Sequence, residues 1–321
     1  FSPFPLMRGL GQVVWSSSNS ATLIAIPLFV LLGEILVRSG VANRTYAALD
    51  KWVSWLPGGL VHANIATSTM FSATSGSSVA TAATVATVAM PQARDLGYNE
   101  KLFSGAIAAG GTLGIMIPPS INLIVYGFLT ESSIPQLFLA GLVPGLFLAG
   151  LFMAVTAILC VMKPELGGPR RSSSWGDRFA SLADLLPIFG LFAAIVGSIY
   201  AGWATPTEAA TVGVAIALVI AAHQKALSRA MIADALRGAV KTSSMIMLVV
   251  IGAYVLNFVL TAAGVSRALQ DVLNNLGLGP LATLLVIVLM YIILGFFIET
   301  LSLMVATIPI VVPIIIHLGY D

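Results

Sequence analysis

Two short stretches carry the residue types most able to do chemistry: GGTLGIMIPPS at 110–120, and Ser75-Gly76-Ser77-Ser78. Neither offers a nucleophile beside a base, a metal-ligand spacing or paired carboxylates. What they offer is backbone. A Pro-Pro pair cannot continue a helix without losing main-chain hydrogen bonds, and every glycine weakens one. A helix broken around Gly110, Gly111, Gly114, Pro118 and Pro119 frees about four N–H and four C=O groups at its new ends. Freed carbonyls, with the hydroxyls of Thr112 and Ser120, suit a small hard cation, and freed N–H groups suit a carboxylate. Asn122, two residues past Ser120, is apt for a freed backbone group or for a ligand. The chemistry implied is the binding of small ions.

The elements that must hold these residues lie in a bilayer. Of the 321 residues, 58% are hydrophobic and only 9% charged, with a mean hydropathy of +0.99. Soluble domains carry about 25% charged residues, so the chain is expected to be an all-α polytopic membrane protein. A net charge of +2 and a single cysteine, Cys160, exclude a nucleic-acid partner and a disulfide framework. No HExxH, GxSxG, paired aspartates or Walker A motif occurs, so no enzyme is expected. The opening FSPFPLMRG and the end at Asp321 in an apolar stretch read as a chain truncated at both ends. An unpaired backbone group in hydrocarbon costs several kcal/mol, so the break at 110–120 needs protein, water or an ion to satisfy it.

Apolar windows of about 20 residues place spans near 20–37, 102–130, 137–162, 183–203, 208–223, 242–263 and 279–298. The run 58–90 differs, being built of Gly, Ala, Ser and Thr, which let helices approach closely. With a turn at Gly76 it reads as a helical hairpin that enters the membrane and returns, its tip facing the break. The basic linker 163–182 and the loops 38–51, 92–101 and 224–241 all fall on one side, the cytoplasmic one.

The chain also repeats itself. ILVRSGV (35–41) is similar to VLTAAGV (259–265), and MPQARDLGYN (90–99) to VPIIIHLGYD (312–321). The topology makes the repeats inverted, with a second hairpin whose first arm is the span 279–298 and whose return lies around 296–314. Inverted repeats with broken helices are the architecture of secondary transporters. In this register Glu299, followed by Thr300, matches Ser77 and Ser78. Glu299 could be an ion ligand or a structural hydrogen-bond partner. Glu34 could line a pathway or cap near the cytoplasmic face. Glu208, after Thr-Pro-Thr, suits a helix N-terminus. His62, His223 and His317 have no ligand spacing. Trp52 and Trp55 suit an interfacial helix.

FSATSGSSVATAATVATVAMPQARDLGYN, GGTLGIMIPPSINLIVYGFLTESSIPQLFLAGLVPGLF and WATPTEAATVGV resemble the large membrane subunit of tripartite ATP-independent periplasmic (TRAP) transporters. The resemblance covers essentially the whole chain. It implies Na+-coupled uptake of an organic acid, such as a C4-dicarboxylate, across the bacterial inner membrane. It implies a small membrane subunit and a periplasmic substrate-binding protein as partners, with Na+ as coupling ion and no other cofactor. Na+ is expected near Ser75, Ser77, Thr112 and Gly114, and ion or substrate contacts at 75–78, 110–112, 114, 118–120, 122, 299 and 300. The expected organisation is a first repeat at 1–162, the linker at 163–182, and a second repeat at 183–321. The first repeat would hold a scaffold helix 20–50, hairpin 57–91, broken helix 102–130 and helix 137–162. An elevator motion would slide 57–130 and 279–321 against a scaffold of 20–50 and 242–275. The alternative is a stand-alone hairpin-type symporter without a binding protein.

Overall fold

The computed structural model describes residues 3–169, 173–264 and 279–320. Arg170 and Arg171 of the basic linker, and the scaffold stretch 265–275, lie outside the described residues. All regular structure among the described residues is helical. The helices are α1 (Pro3–Ser18), α2 (Ala25–Arg38), α3 (Val41–Val53), α4 (Leu60–Ser75), α5 (Ser78–Asp95), α6 (Glu100–Met116) and α7 (Ile121–Thr130). They continue with α8 (Ile134–Met162), α9 (Trp175–Tyr200), α10 (Pro206–His223), α11 (Arg229–Ala262), α12 (Pro280–Gly295) and α13 (Thr300–His317).

Six helical stretches are long and apolar enough to span a bilayer, the 31-residue Glu100–Thr130 being one of them across its break. The protein is thus an all-α, multi-pass membrane protein. Two spans start earlier than hydropathy suggests. The helix expected from 183 begins at Trp175, and the one expected from 242 begins at Arg229. Both early turns carry charges that depress a hydropathy window without interrupting the helix. The expected scaffold helix 20–50 is two helices, α2 and α3, bent by 71° at Gly40, whose φ of +77° favours a residue without a Cβ.

The chain forms two compact units. One comprises Phe1–Leu23, Val125–Ser132 and Ser243–Asp321; the other comprises Ile24–Ile124 and Ser133–Thr242. The second unit holds a core where α4 packs on α5 and α6, α3 on α4 and α9, and α2 on α10. Tyr46, Leu60, Val85 and Phe103 are buried in it. The base of α4 is pinned by Tyr98, whose hydroxyl accepts from Leu60 N–H at 3.1 Å and donates to Pro169 O at 3.4 Å. In the first unit, Tyr254 donates to Phe128 O at 3.4 Å, and the Tyr291 and Thr307 hydroxyls meet at 2.6 Å between α12 and α13.

The α10 start shows how local sequence sets an element. Thr205 Oγ1 accepts from Glu208 N–H at 3.3 Å, while Glu208 Oε2 accepts from Thr205 N–H at 2.8 Å. This reciprocal cap, with Pro206 in the first turn, satisfies two orphan donors. It gives Glu208 the structural role its sequence context suggested. Along α8, Val143 and Phe147 are each 70% exposed, as a helix face solvated by acyl chains would be.

Candidate functional site

The site is built where the turn between α4 and α5 meets the break between α6 and α7. Gly76 closes α4 with φ +59°, a left-handed conformation that costs other residues roughly 1–2 kcal/mol. Ser77 then caps α5, its side chain accepting from Ala80 N–H at 3.5 Å. Ile121 N–H, the first of α7, donates to Gly76 O at 3.3 Å. A Cβ on Gly76 would sit 3.0 Å from Pro119 O and 3.1 Å from Ile121 N. The turn therefore lies directly on the break. Four helix ends converge here, the C-terminal ends of α4 and α6 and the N-terminal ends of α5 and α7. Two ends of each sign bring partial charges of both kinds to the junction.

The glycines of α6 are notches. A Cβ on Gly110 would lie 2.6 Å from Ser68 Oγ, one on Gly111 would lie 2.8 Å from Ala82 Cβ, and one on Gly114 would lie 2.9 Å from Ser77 O. Gly110 thus admits α4, and Gly111 and Gly114 admit α5. Ser120 stitches the break: its fully buried hydroxyl donates to Ile115 O at 2.6 Å and accepts from Leu123 N–H at 3.4 Å. One freed carbonyl of α6 and one freed donor of α7 are satisfied by that single side chain. Pro118 and Pro119 are buried beside it. Asn122 is only 9% exposed, and its side chain makes no hydrogen bond among the described residues.

Not every expected residue is brought to this junction. Thr112 is exposed and its hydroxyl donates to Ala109 O of its own helix at 2.7 Å. Of Ser75 only the backbone, the last residue of α4, is described; Ser78 opens α5. Glu299 caps α13, with Oε2 accepting from Ser302 N–H at 3.0 Å, and exposed Thr300 is the first residue of that helix. Glu34 pairs with Arg38 one turn on, and its carboxylate abuts Gly238 of α11.

Sequence reasoning missed the outer wall. Gly141 and Gly145 of α8 seat against Met116 and Ile117 at the break: a Cβ on Gly141 would lie 2.5 Å from Met116 O, and one on Gly145 would lie 2.8 Å from Ile117 Cγ1. The signal was present as the glycines of GLVPG, a small-xxx-small pair. Also missed was a buried polar row on α4, His62, Asn64, Thr67, Ser68 and Ser72. Within it Asn64 Oδ1 accepts from the Tyr46 hydroxyl at 3.0 Å.

The sequence profile described as "Tripartite ATP-independent periplasmic transporter, DctM component" matches residues 1–321. The C4-dicarboxylate TRAP transporter large permease protein DctM of Pseudomonas aeruginosa is 35% identical, over 100% of this chain and 75% of the relative. The sialic acid TRAP transporter large permease protein SiaM of Vibrio cholerae is 32% identical, over 97% of this chain and 72% of the relative. The ectoine/5-hydroxyectoine TRAP transporter large permease protein UehC of Ruegeria pomeroyi is 30% identical, over 97% and 72%.

Proposed function

We propose that this chain, which belongs to the DctM component family of tripartite ATP-independent periplasmic transporters, moves an organic carboxylate across the bacterial inner membrane by coupling it to Na+. Uptake in such a system works with a small membrane subunit and a periplasmic binding protein that delivers the substrate. The observation that carries our reading is the hydrogen bond from Ile121 N–H to Gly76 O. It makes the α4–α5 turn and the α6–α7 break one continuous structure with helix ends of both signs. The N-terminal ends of α5 and α7 would hold the carboxylate, and the carbonyl-bearing ends of α4 and α6, with Ser77, would hold Na+. Asn122 would orient the substrate through its unpartnered amide.

The relatives bearing the names of C4-dicarboxylates, sialic acid, ectoine and isethionate are named for molecules that share a carboxylate or sulfonate group and little else, which favours a site that reads an anionic oxygen group. The α6 glycine notches favour α4, α5 and α6 moving as one block, the behaviour an elevator motion asks of them. Two Na+ ions entering down a tenfold gradient at 100 mV would release about 7 kcal/mol. A dianion travelling with them cancels the voltage part.

Uptake by proteoliposomes holding the full-length protein with its small partner tests the reading. Labelled organic acids are offered with and without an inward Na+ gradient, and with and without the cognate binding protein. Uptake that needs both is expected. Uptake without the binding protein would support a stand-alone symporter, and indifference to Na+ would end the coupling proposal.

A further inference from the structure

Helices α3 and α9 pack side by side, and an aromatic and cationic cluster lies along their contact. The Trp52 ring meets Phe179 edge-on, with centroids 6.0 Å apart and planes at 86°. Trp175 lies against the same Phe179 at 6.2 Å, and the Arg178 guanidinium sits 4.9 Å from the Trp175 ring centre. Two nitrogens in this cluster, Trp52 Nε1 and Arg178 Nε, are buried without a hydrogen-bond partner among the described residues. Both are donors only, so both lack the same thing, an acceptor. A buried donor without one costs about 1–3 kcal/mol, more when charged.

The carboxylates of these helices are engaged elsewhere. Asp50 accepts from Ser54, Asp177 accepts from Ser174 at 2.7 Å, and Asp184 faces Arg44 at 4.0 Å. Lys51, next to Trp52, forms no ion pair among the described residues. Around the cluster, Trp55, Trp175 and Phe179 are 54%, 66% and 61% exposed. Large exposed rings beside cations belong at the headgroup level of a bilayer, where ring and charge are both solvated. The basic loops put this end of α3 and α9 on the cytoplasmic side by the charge bias.

We propose that the α3–α9 contact is a headgroup site for an anionic phospholipid of the cytoplasmic leaflet. Phosphate oxygens accept from Arg178 Nε and Trp52 Nε1 as these two half-buried side chains turn outward to meet the headgroup, Lys51 adds charge, and the acyl chains cover Trp55, Trp175 and Phe179. A free phosphate offers the same acceptor oxygens but leaves those three rings uncovered, so the lipid is the better occupant.

The test is lipid binding to the full-length protein purified in neutral detergent. Phosphatidylglycerol, phosphatidylcholine and inorganic phosphate are titrated separately, reading retained lipid by native mass spectrometry and the unfolding temperature. Phosphatidylglycerol should bind at least about fivefold tighter than phosphatidylcholine, the scale of one basic side chain at an anionic surface. Arg178→Gln and Trp52→Phe should each abolish that preference, and inorganic phosphate should shift nothing. Equal binding of the two lipids, an undiminished preference in both variants, or a phosphate shift matching that of phosphatidylglycerol would overturn the proposal. If Arg178→Gln does not fold, Trp52→Phe decides, because it keeps an aromatic ring against Phe179 and removes the donor. Transport is not read out, so the result stands apart from the transport assignment.

Discussion

The notch at Gly114 gives a worked prediction. Replacing it by alanine puts a Cβ 2.9 Å from Ser77 O, 3.0 Å from Ser77 C and 3.1 Å from Thr81 Oγ1. Two of these neighbours are backbone and cannot swing aside. Comfortable carbon contacts lie near 3.5 Å or beyond, so the start of α5 must retreat by about half an ångström. Overpacking of this kind costs about 1–3 kcal/mol, offset by about 1 kcal/mol of gained helix propensity. The net expectation is a loss of about 1 kcal/mol. Gly105 on the same helix is the control, because a Cβ there meets nothing within 4 Å. Gly105→Ala should gain up to about 1 kcal/mol, so the two variants should differ by about 2 kcal/mol.

Function should separate them further. The retreat moves the Ser77 cap and the turn at Gly76, and binding geometry tolerates only about 0.5 Å of error. Na+-driven uptake by Gly114→Ala should therefore fall about tenfold, with Gly105→Ala unchanged. Thermal unfolding in detergent and proteoliposome uptake are the two readouts. If Gly114→Ala matches Gly105→Ala in both, the close approach of α6 to the α5 cap does not shape the site, and the reasoning fails.

Three further outcomes follow from the same geometry. Asn122→Ala removes an amide with no partner among the described residues, so stability should change by less than about 0.5 kcal/mol while uptake falls at least tenfold; unchanged uptake would take Asn122 out of the site. Ser120→Ala leaves Ile115 O and Leu123 N–H without the bonds they make now. A lost cap and a stranded buried carbonyl together cost about 2–3 kcal/mol, measurable by chemical or thermal unfolding, and Ser120→Thr should recover most of it. Gly238→Ala would put a Cβ 2.5 Å from Glu34 Oε2, but that carboxylate ends a flexible side chain and can move aside, so the change should cost less than about 1 kcal/mol. Combined with Glu34→Ala, the two changes should couple by at least about 0.5 kcal/mol, and strict additivity would show that α11 does not rest on that carboxylate.

Much of the junction was legible in the sequence because proline and glycine announce what a backbone cannot do. Pro118-Pro119 had to end a helix, and Ser-Gly-Ser had to turn one. Which neighbour each residue meets was not legible. Gly110 and Gly111 are one residue apart, yet one admits α4 and the other α5, since successive helix positions point about 100° apart. Thr112, one step further round, turns its hydroxyl back onto Ala109 O. Sequence offered it as a cation ligand on residue type alone, and type does not carry direction. Gly141 and Gly145 were overlooked for a related reason, since in an apolar helix a notch is visible only once its partner is known.

The internal repeat expected from the sequence has its counterparts in backbone features more than in side-chain identity. α5 and α13 are both 18 residues long, Ser78–Asp95 and Thr300–His317, and start 222 residues apart. Gly40 and Gly264 have φ of +77° and +72°, and Gly97 and Gly319 have +69° and +83°, so left-handed turns recur at nearly the same offset. Ser77 and Glu299 show what that register leaves free. Each caps the second helix of its pair by accepting from the N–H three residues on, Ala80 in one case and Ser302 in the other. One accepts with a neutral hydroxyl and the other with a carboxylate. The backbone role repeats while the charge does not, so the two halves of the repeat cannot offer an ion the same field. Glu299→Ser would make the two caps alike. It should keep α13 capped at a cost below about 1 kcal/mol, and any larger change in Na+ dependence would belong to the charge and not to the helix.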